Sequence, residues 1–148
     1  MKTIIQVNDV TVGYDKGERI LHDLNFSIQA GDFVGIMGKN GAGKSTLLNL
    51  LGCLDTPTSG EYYLDGVAVR TMGKNDRAML RNRKIGFVFQ NYNLLPKTTA
   101  LENVELPLMY NSKISAKERG RRASEALDVV GLSDRKMHKS NQMSGGQM

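Results

Sequence analysis

A glycine-rich segment at residues 38–45 has the residue types and spacing of a phosphate-binding loop. Its sequence, Gly38-Lys39-Asn40-Gly41-Ala42-Gly43-Lys44-Ser45, matches G-x-x-x-x-G-K-[ST] at every fixed position. Glycine backbones can approach an anion closely because they carry no Cβ, and their N–H groups can then point at it. The Lys44 ammonium could reach the β- and γ-phosphates of a nucleotide, and the Ser45 hydroxyl could ligate Mg²⁺. This segment therefore predicts a nucleotide held by its phosphates.

The residues on either side of the loop predict the elements that should position it. Residues 33–37 form a short apolar run typical of a buried strand, and residues 46–51 predict a helix that Gly52 could cap. A helix N-terminus behind the loop would add about half a positive charge from its dipole. We expect all three glycines at fixed or central loop positions, Gly38, Gly41 and Gly43, to use positive φ. The alternative is a glycine-rich surface turn followed by Lys-Ser by chance.

The first 90 residues are otherwise rich in predicted strands. Residues 3–7, 10–12 and 20–28 are β-branched or alternating runs, and the alternation of the third run favours an antiparallel strand. Residues 61–64 and 67–69 flank Asp65-Gly66, which predicts a hairpin with a type I′ turn. Asn75 could cap a short basic helix that ends near Arg83. Residues 85–89 form another apolar run that predicts a buried strand ending at Gln90.

From Asn91 onward the sequence predicts helices. Thr99 could cap a helix that Pro107 ends or kinks. Ser115 and Glu118 form a capping-box pattern at the start of a second helix, for which Gly131 is the stop signal. The expected buried face of this helix comprises Ala123, Ala126, Leu127 and Val130.

Composition sets limits on the class of protein. A chain of 148 residues with 40% hydrophobic and 24% charged residues is typical of one globular domain. The single cysteine, Cys53, excludes an intramolecular disulfide. The sequence has no apolar run of membrane-spanning length and no signal-peptide pattern, so we expect a cytoplasmic protein. The net charge of +5 allows nucleic-acid binding, but acidic residues are interspersed and no aromatic residues interleave to stack bases, so no nucleic-acid partner is expected.

A phosphate-binding loop alone could belong to a kinase, a GTPase or a motor ATPase. Three further features narrow the choice of protein class. Tyr14 lies at a predicted strand end and could stack on an adenine ring, and Gln90 could reach Mg²⁺ or an attacking water from the end of another strand. Ser144-Gly145-Gly146-Gln147 resembles the signature sequence of ATP-binding-cassette (ABC) ATPases. The order aromatic residue, phosphate loop, strand-end glutamine and signature is similar to that of ABC nucleotide-binding domains over the whole chain. Residues 51–60, 85–90 and 101–108 resemble more specifically the ATPases of lipoprotein-releasing, macrolide-exporting and antimicrobial-peptide-resistance transporters.

The resemblance implies a fold and a set of roles. The fold would be α/β, a P-loop NTPase core with an N-terminal antiparallel β subdomain and a helical subdomain, incomplete at the C-terminus. Residues 1–90 would form the β-rich core with the phosphate loop, and residues 91–148 the helical subdomain that ends in the signature. Gln90 would be catalytic, sensing the γ-phosphate, and residues 91–110 would contact a transmembrane permease. ATP would lie between head-to-tail subunits of a homodimer at the inner face of the cell membrane, with Ser45 and Gln90 as the Mg²⁺ ligands. The implied ATP-binding residues are Tyr14, Gly38, Asn40, Gly41, Ala42, Gly43, Lys44, Ser45, Thr46, Ser144, Gly145, Gly146 and Gln147.

The sequence departs from the family pattern in two places. Met143 stands where leucine usually opens the signature, a volume-conserving change. The chain ends at Met148, before the family's Mg²⁺-coordinating Asp, catalytic Glu and switch His. We therefore expect little turnover from this chain alone, and exposed apolar surface at residues 33–37. Two hypotheses remain: the front part of an ABC transporter ATPase, or a truncated module that binds nucleotide without hydrolysing it.

Overall fold

The computed structural model describes the backbone of residues 1–15 and 18–148 and the side chains of residues 1–13 and 20–148. The chain divides into two compact units, Met1–Gly86 and Phe87–Met148. The sequence-based division into residues 1–90 and 91–148 stays a prediction.

The first unit contains a four-stranded antiparallel sheet. Its strands are β1 (Thr3–Asp15), β2 (Glu18–Gln29), β3 (Ser59–Leu64) and β4 (Val67–Ala68), in the order β2-β1-β3-β4. The central strand β1 pairs with both neighbours, so that Val7 lies opposite Phe26 of β2 and Tyr62 of β3. The tight turn between β3 and β4 has φ of 49° at Asp65 and 78° at Gly66. Two positive φ values are what a type I′ turn requires, so the predicted hairpin is confirmed.

Two helices accompany this sheet, α1 (Lys44–Leu51) and α2 (Lys74–Lys84). The N-cap of α2 is Gly73, whose carbonyl accepts a hydrogen bond from the Arg77 N–H at 3.1 Å. The prediction that Asn75 caps this helix is therefore wrong, because the first hydrogen-bonded turn begins two residues earlier. The core comprises Val7, Val10, Val12, Leu21, Leu50, Cys53, Tyr62, Leu64 and Val69. It joins β1, β2 and β3 to the end of α1.

Two apolar runs that predicted buried strands are not strands. In residues 33–37 the side chains of Phe33 and Met37 are almost fully exposed, and in residues 85–89 Val88 is fully exposed. Both strand predictions are wrong for the same reason: within residues 1–15 and 18–148, neither run pairs with a strand. The expectation of exposed apolar surface at residues 33–37 is confirmed. An apolar run becomes a buried strand only when another strand pairs with it, because its backbone groups otherwise remain in water. Gln90 accordingly follows an irregular segment rather than a strand.

The second unit contains α3 (Ala100–Met109), α4 (Ala116–Val129) and three short 3₁₀ turns at Ser133–Arg135, Ser140–Gln142 and Gly145–Gln147. Thr99 caps α3 as predicted, in a reciprocal capping box with Glu102. Pro107 lies inside α3, which continues to Met109 instead of ending at the proline. None of the helices in the described part of the chain is both long and apolar enough to cross a membrane.

Helix α4 begins and ends where the sequence predicts. The Ser115 hydroxyl accepts the Glu118 N–H, but the predicted capping box is only half formed, because the Glu118 carboxylate pairs with Arg121 and Arg122 instead. At the other end Gly131 has φ of 74°, and the N–H groups of Gly131 and Leu132 close a Schellman motif. The predicted buried face is only half correct. Ala123 and Leu127 are buried, but Ala126 and Val130 are exposed because the packed stripe of the helix is narrower than the apolar pattern.

Candidate functional site: the phosphate loop

The backbone of residues 38–45 curls tightly around its glycines. Gly41 has φ of 80° and Gly43 has φ of 86°, in the left-handed region that favours glycine. Gly38 does not adopt positive φ, so that part of the prediction is wrong. The turn is closed by a hydrogen bond of 3.2 Å from the Ala42 N–H to the Lys39 carbonyl. Two left-handed glycines are therefore enough to bend the chain into α1.

The Lys44 side chain folds back over the loop. Its Nζ donates hydrogen bonds to the carbonyls of Gly38 at 2.9 Å and Lys39 at 2.7 Å. An ammonium group has three donors, so one N–H remains for an incoming acceptor. Because both carbonyls belong to the loop, the ammonium charge is held against the loop backbone.

The N-terminus of α1 carries unpaired amide donors. Its N-cap, Gly43, makes no side-chain cap, and the first intrahelical bond runs from the Leu47 N–H to the Gly43 carbonyl at 2.9 Å. In the described part of the chain the N–H groups of Lys44, Ser45 and Thr46 have no hydrogen-bond partner. Orphan amides together with the helix dipole make this end of α1 favourable for an anion.

Helix α3 shows the contrasting case in the same protein. The Ala100 N–H donates to the His138 carbonyl at 2.8 Å, and the Leu101 N–H donates to the Lys136 carbonyl at 3.0 Å. The Thr99 hydroxyl accepts the next N–H of this helix. The chain itself thus satisfies the start of α3, whereas it leaves the start of α1 open to a ligand.

The sheet positions the loop through Gly43. A Cβ added at Gly43 would lie 2.8 Å from Leu21 Cδ2 and 3.3 Å from Ile20 Cγ2, both on β2. Such distances leave no room for a side chain, so the loop backbone lies directly on the sheet. At the other end of α1, Leu50 is fully buried in the core. The loop is therefore held at a fixed place by packing at both ends of a short helix.

The residues present fit a Mg²⁺ ion that binds together with a nucleotide. The Ser45 hydroxyl is exposed at the first turn of α1, and in the described part of the chain it has no hydrogen-bond partner. Mg²⁺ prefers oxygen ligands and commonly takes few from the protein and the rest from phosphates and water. One free hydroxyl beside an anion site suits this pattern.

Cys53 lies just past α1 and is not a reactive group. It is completely buried, and burial raises the pKa of its thiol. The pKa of the neighbouring Tyr62 hydroxyl is raised for the same reason, and this hydroxyl donates to the Leu51 carbonyl at 2.7 Å. Since only the thiolate is a good nucleophile, Cys53 acts here as a small core residue.

The other predicted site residues lie outside the loop. The backbone of Tyr14 belongs to β1, but its side chain lies outside the described residues. Gln90 is exposed in a turn that the Tyr92 N–H closes onto the Phe89 carbonyl at 3.3 Å. Gln90 and residues 144–147 belong to the second unit, whereas residues 38–46 belong to the first. The structure thus brings the loop residues together within one unit and the remaining two motifs within the other.

The Ser144–Gln147 segment forms a closed 3₁₀ turn. Gln147 Oε1 accepts the Ser144 N–H at 3.0 Å, and the Gln147 N–H donates to the Ser144 carbonyl at 2.9 Å. The Gln147 side chain therefore braces the turn, while the Ser144 hydroxyl is exposed. Tyr92, which contacts this turn at Gly145, was missed by sequence reasoning because no spacing rule connects the two positions.

The chain is similar to known ABC transporter ATP-binding proteins. The ABC transporter family model matches residues 21–148. An uncharacterized ABC transporter ATP-binding protein of Thermotoga maritima is 53% identical over 150 residues, covering 99% of this chain and 64% of the relative. The macrolide export ATP-binding/permease protein MacB of Brucella abortus is 48% identical over 147 residues, covering 97% of this chain and 23% of the relative.

A solved structure confirms the fold class. The dimeric ATP-binding cassette MJ0796, in a post-hydrolysis state bound to ADP and Pi, has a TM-score of 0.86 at 45% identity, covering 97% of this chain and 65% of that one. MJ0796 comes from Methanocaldococcus jannaschii, and this chain spans 64% of its full length. With a family model over most of its residues and relatives of this similarity, the chain belongs to the ABC transporter ATP-binding family.

Proposed function

We propose that the protein binds ATP with Mg²⁺ at residues 38–46. The observation that carries the proposal is the unsatisfied start of α1, where three amide donors lack partners and the Lys44 ammonium has one donor to spare. Four donors at a single helix end favour the phosphate oxygens of a nucleotide over a neutral ligand, because hydrogen bonds to a charged phosphate are stronger than those to a neutral acceptor. Within this loop Gly38, Asn40, Gly41, Ala42 and Gly43 supply backbone, and Lys44, Ser45 and Thr46 supply the helix start.

Each side chain has a distinct role in this proposal. Lys44 supplies positive charge to the β- and γ-phosphates while its remaining bonds to the loop carbonyls keep it oriented. The Ser45 hydroxyl would hold Mg²⁺, which would supply positive charge beside the phosphates. Tyr14 stacks on the adenine ring, and Gln90 responds to the γ-phosphate and Mg²⁺. These last two roles come from the family resemblance.

We further propose that the protein acts as the ATP-binding subunit of a transporter. Relatives include a dimeric cassette and an export ATP-binding/permease protein, as their names state. By analogy two copies pair, and Ser144, Gly145, Gly146 and Gln147 of one copy face the ATP of the other. Residues 91–110 dock on a transmembrane permease, which places the protein at the inner face of the membrane. ATP hydrolysis in the whole protein then drives the permease.

The test compares two lysines of the same loop. Lys44→Ala removes the ammonium that lies over the loop, whereas Lys39→Ala removes an exposed ammonium and makes the same change in net charge. Loss of a charged hydrogen bond costs about 1.5–3 kcal/mol, so Lys44→Ala should weaken ATP binding about ten- to a hundredfold. Lys39→Ala should stay within about threefold of the parent protein.

Isothermal titration with MgATP measures both variants, and far-UV circular dichroism checks that each is folded. Equal affinity of the two variants would contradict the proposal, because the site would then not depend on Lys44. Titration with inorganic triphosphate isolates the contribution of the phosphates from that of the base.

A further inference from the structure

Tyr92 and Gly145 meet inside the second unit, far apart in sequence. A Cβ added at Gly145 would lie 2.9 Å from the Tyr92 hydroxyl oxygen and 3.9 Å from Cζ of the same ring. Gly145 does not use positive φ, so a side chain at this position would be limited by the Tyr92 phenol and not by the backbone. The next residue differs, because a Cβ added at Gly146 would have no atom within 4 Å.

An unusual backbone brings Tyr92 to this place. Tyr92 has φ of 60° and Asn93 has φ of 54°, and consecutive left-handed residues other than glycine are uncommon and costly. The Asn93 N–H also folds back onto the Asn91 carbonyl at 2.6 Å. Strained residues persist only where surrounding contacts hold them, and they concentrate at functional sites and switch segments.

Asn103 of α3 holds residues 95–99, which follow Tyr92 and Asn93 in the chain. Its Oδ1 accepts the Leu95 N–H at 2.8 Å. Its Nδ2 donates to the Thr98 hydroxyl at 2.8 Å and to the Thr99 carbonyl at 2.9 Å. Residues 95–99 are thereby fixed to α3. The chain between Gln90 and Leu95 must reverse over a few residues, and the reversal points the Tyr92 phenol at Gly145.

We propose that Tyr92 is a positioning residue that couples the Gln90 turn to the Ser144–Gln147 turn. The Tyr92 hydroxyl packs on Gly145 and keeps the Ser144–Gln147 turn closed. Because only one residue separates Tyr92 from Gln90, a shift of the Gln90 turn moves the hydroxyl with it. The inference rests on the proposed function, in which both turns respond to ATP. It adds a direct contact through which one turn senses the state of the other.

A double-mutant cycle tests the contact without nucleotide. The readout is amide hydrogen exchange, followed by NMR, at the Ser144 and Gln147 N–H groups, which are both bonded within the turn. Gly145→Ala forces the turn or the phenol to move, and we expect exchange about tenfold faster. Gly146→Ala is the matched control and should stay within about twofold, because its methyl group enters open space.

Tyr92→Phe should rescue Gly145→Ala, because it leaves only the ring carbon at 3.9 Å, an ordinary contact distance. In the double variant we expect exchange within about threefold of the parent. We also expect a nuclear Overhauser effect between the methyl group introduced at position 145 and the aromatic ring at position 92. Equal exchange in the two alanine variants, or additive effects without rescue, would overturn the contact.

The coupling itself is tested with MgATP. ATP should change the exchange rates at residues 144–147 in the parent protein, and Tyr92→Ala should abolish this change while leaving ATP affinity within about threefold. An identical ATP response in Tyr92→Ala would overturn the coupling. Absence of ATP binding in the parent protein would instead contradict the proposed function. The double-mutant cycle would then still decide whether Tyr92 contacts Gly145, because it uses no nucleotide.

Discussion

Gly43→Ala should destabilise the first unit far more than Gly41→Ala, although both glycines belong to the same loop and share left-handed backbone. Gly43 has φ of 86° and Gly41 has φ of 80°, so alanine pays a similar backbone cost of about 1–2 kcal/mol at either position. The two sites differ in their surroundings. A Cβ at Gly41 would meet nothing within 4 Å, whereas one at Gly43 would overlap Leu21 Cδ2 at 2.8 Å.

The magnitude follows from this overlap. Leu21 belongs to the buried core and cannot move freely, so inserting a methyl group against it should cost a further 1–3 kcal/mol or so. We therefore expect the free energy of unfolding to fall by about 2–5 kcal/mol in Gly43→Ala and by about 1–2 kcal/mol in Gly41→Ala. The difference corresponds to about a five- to 150-fold larger population of open molecules.

Cys53 is the reporter for this experiment. It is the only cysteine of the chain, it is completely buried, and it shares the core with Leu21. An aromatic disulfide reagent can react with it only when the core opens, so the labelling rate follows the open population when closing is fast. Labelling of Gly43→Ala should exceed that of Gly41→Ala by the factor above. Equal rates would refute the conclusion that the loop backbone is seated on β2.

Two further predictions concern electrostatics and capping. Lys2 and Lys84 lower the pKa of the Asp65 carboxyl from 3.8 to about 2 in the folded protein. A carboxyl whose pKa is lower in the folded than in the unfolded chain adds stability at pH values above its unfolded pKa, and this stability is lost as pH falls from about 4 towards 2. In acid titrations followed by circular dichroism Asp65→Asn should flatten this loss, and an unchanged acid limb would contradict the pairing. Thr99→Ala should lower the urea-unfolding free energy by about 1 kcal/mol through loss of the α3 cap, and Thr99→Ser should restore most of it; equal stability of the Ala and Ser variants would contradict the capping role.

Local signals in the sequence predicted local structure well. The Asp65-Gly66 turn, the Thr99 cap and the Gly131 stop each depend on residues within a few positions of one another. Their hydrogen bonds and φ values are decided by short-range sterics, which contiguous residue types specify. Asn75 failed as a cap although its residue type was suitable, because a helix can begin at more than one nearby residue.

Local signals did not specify strand pairing, and the exposure of residues 33–37 was expected only from the family resemblance. Residues 33–37 and 85–89 have the composition of buried strands, yet neither is paired in the described part of the chain. Composition reports that a segment can be buried, whereas burial itself requires a partner strand that the segment does not encode. The exposed Ala126 and Val130 on α4 show the same limit for helices.

The sequence by itself determined the family to which this chain belongs, and it predicted a phosphate-binding loop with its lysine and serine. These depend on residue types at fixed spacing, and spacing along the chain is preserved on folding. Only the tertiary structure decided what a side chain at Gly43 or Gly145 would meet, since each faces a side chain from a distant position, Leu21 in one case and Tyr92 in the other. Steric exclusion acts between atoms that the fold brings together, and the path of the chain alone sets which atoms those are.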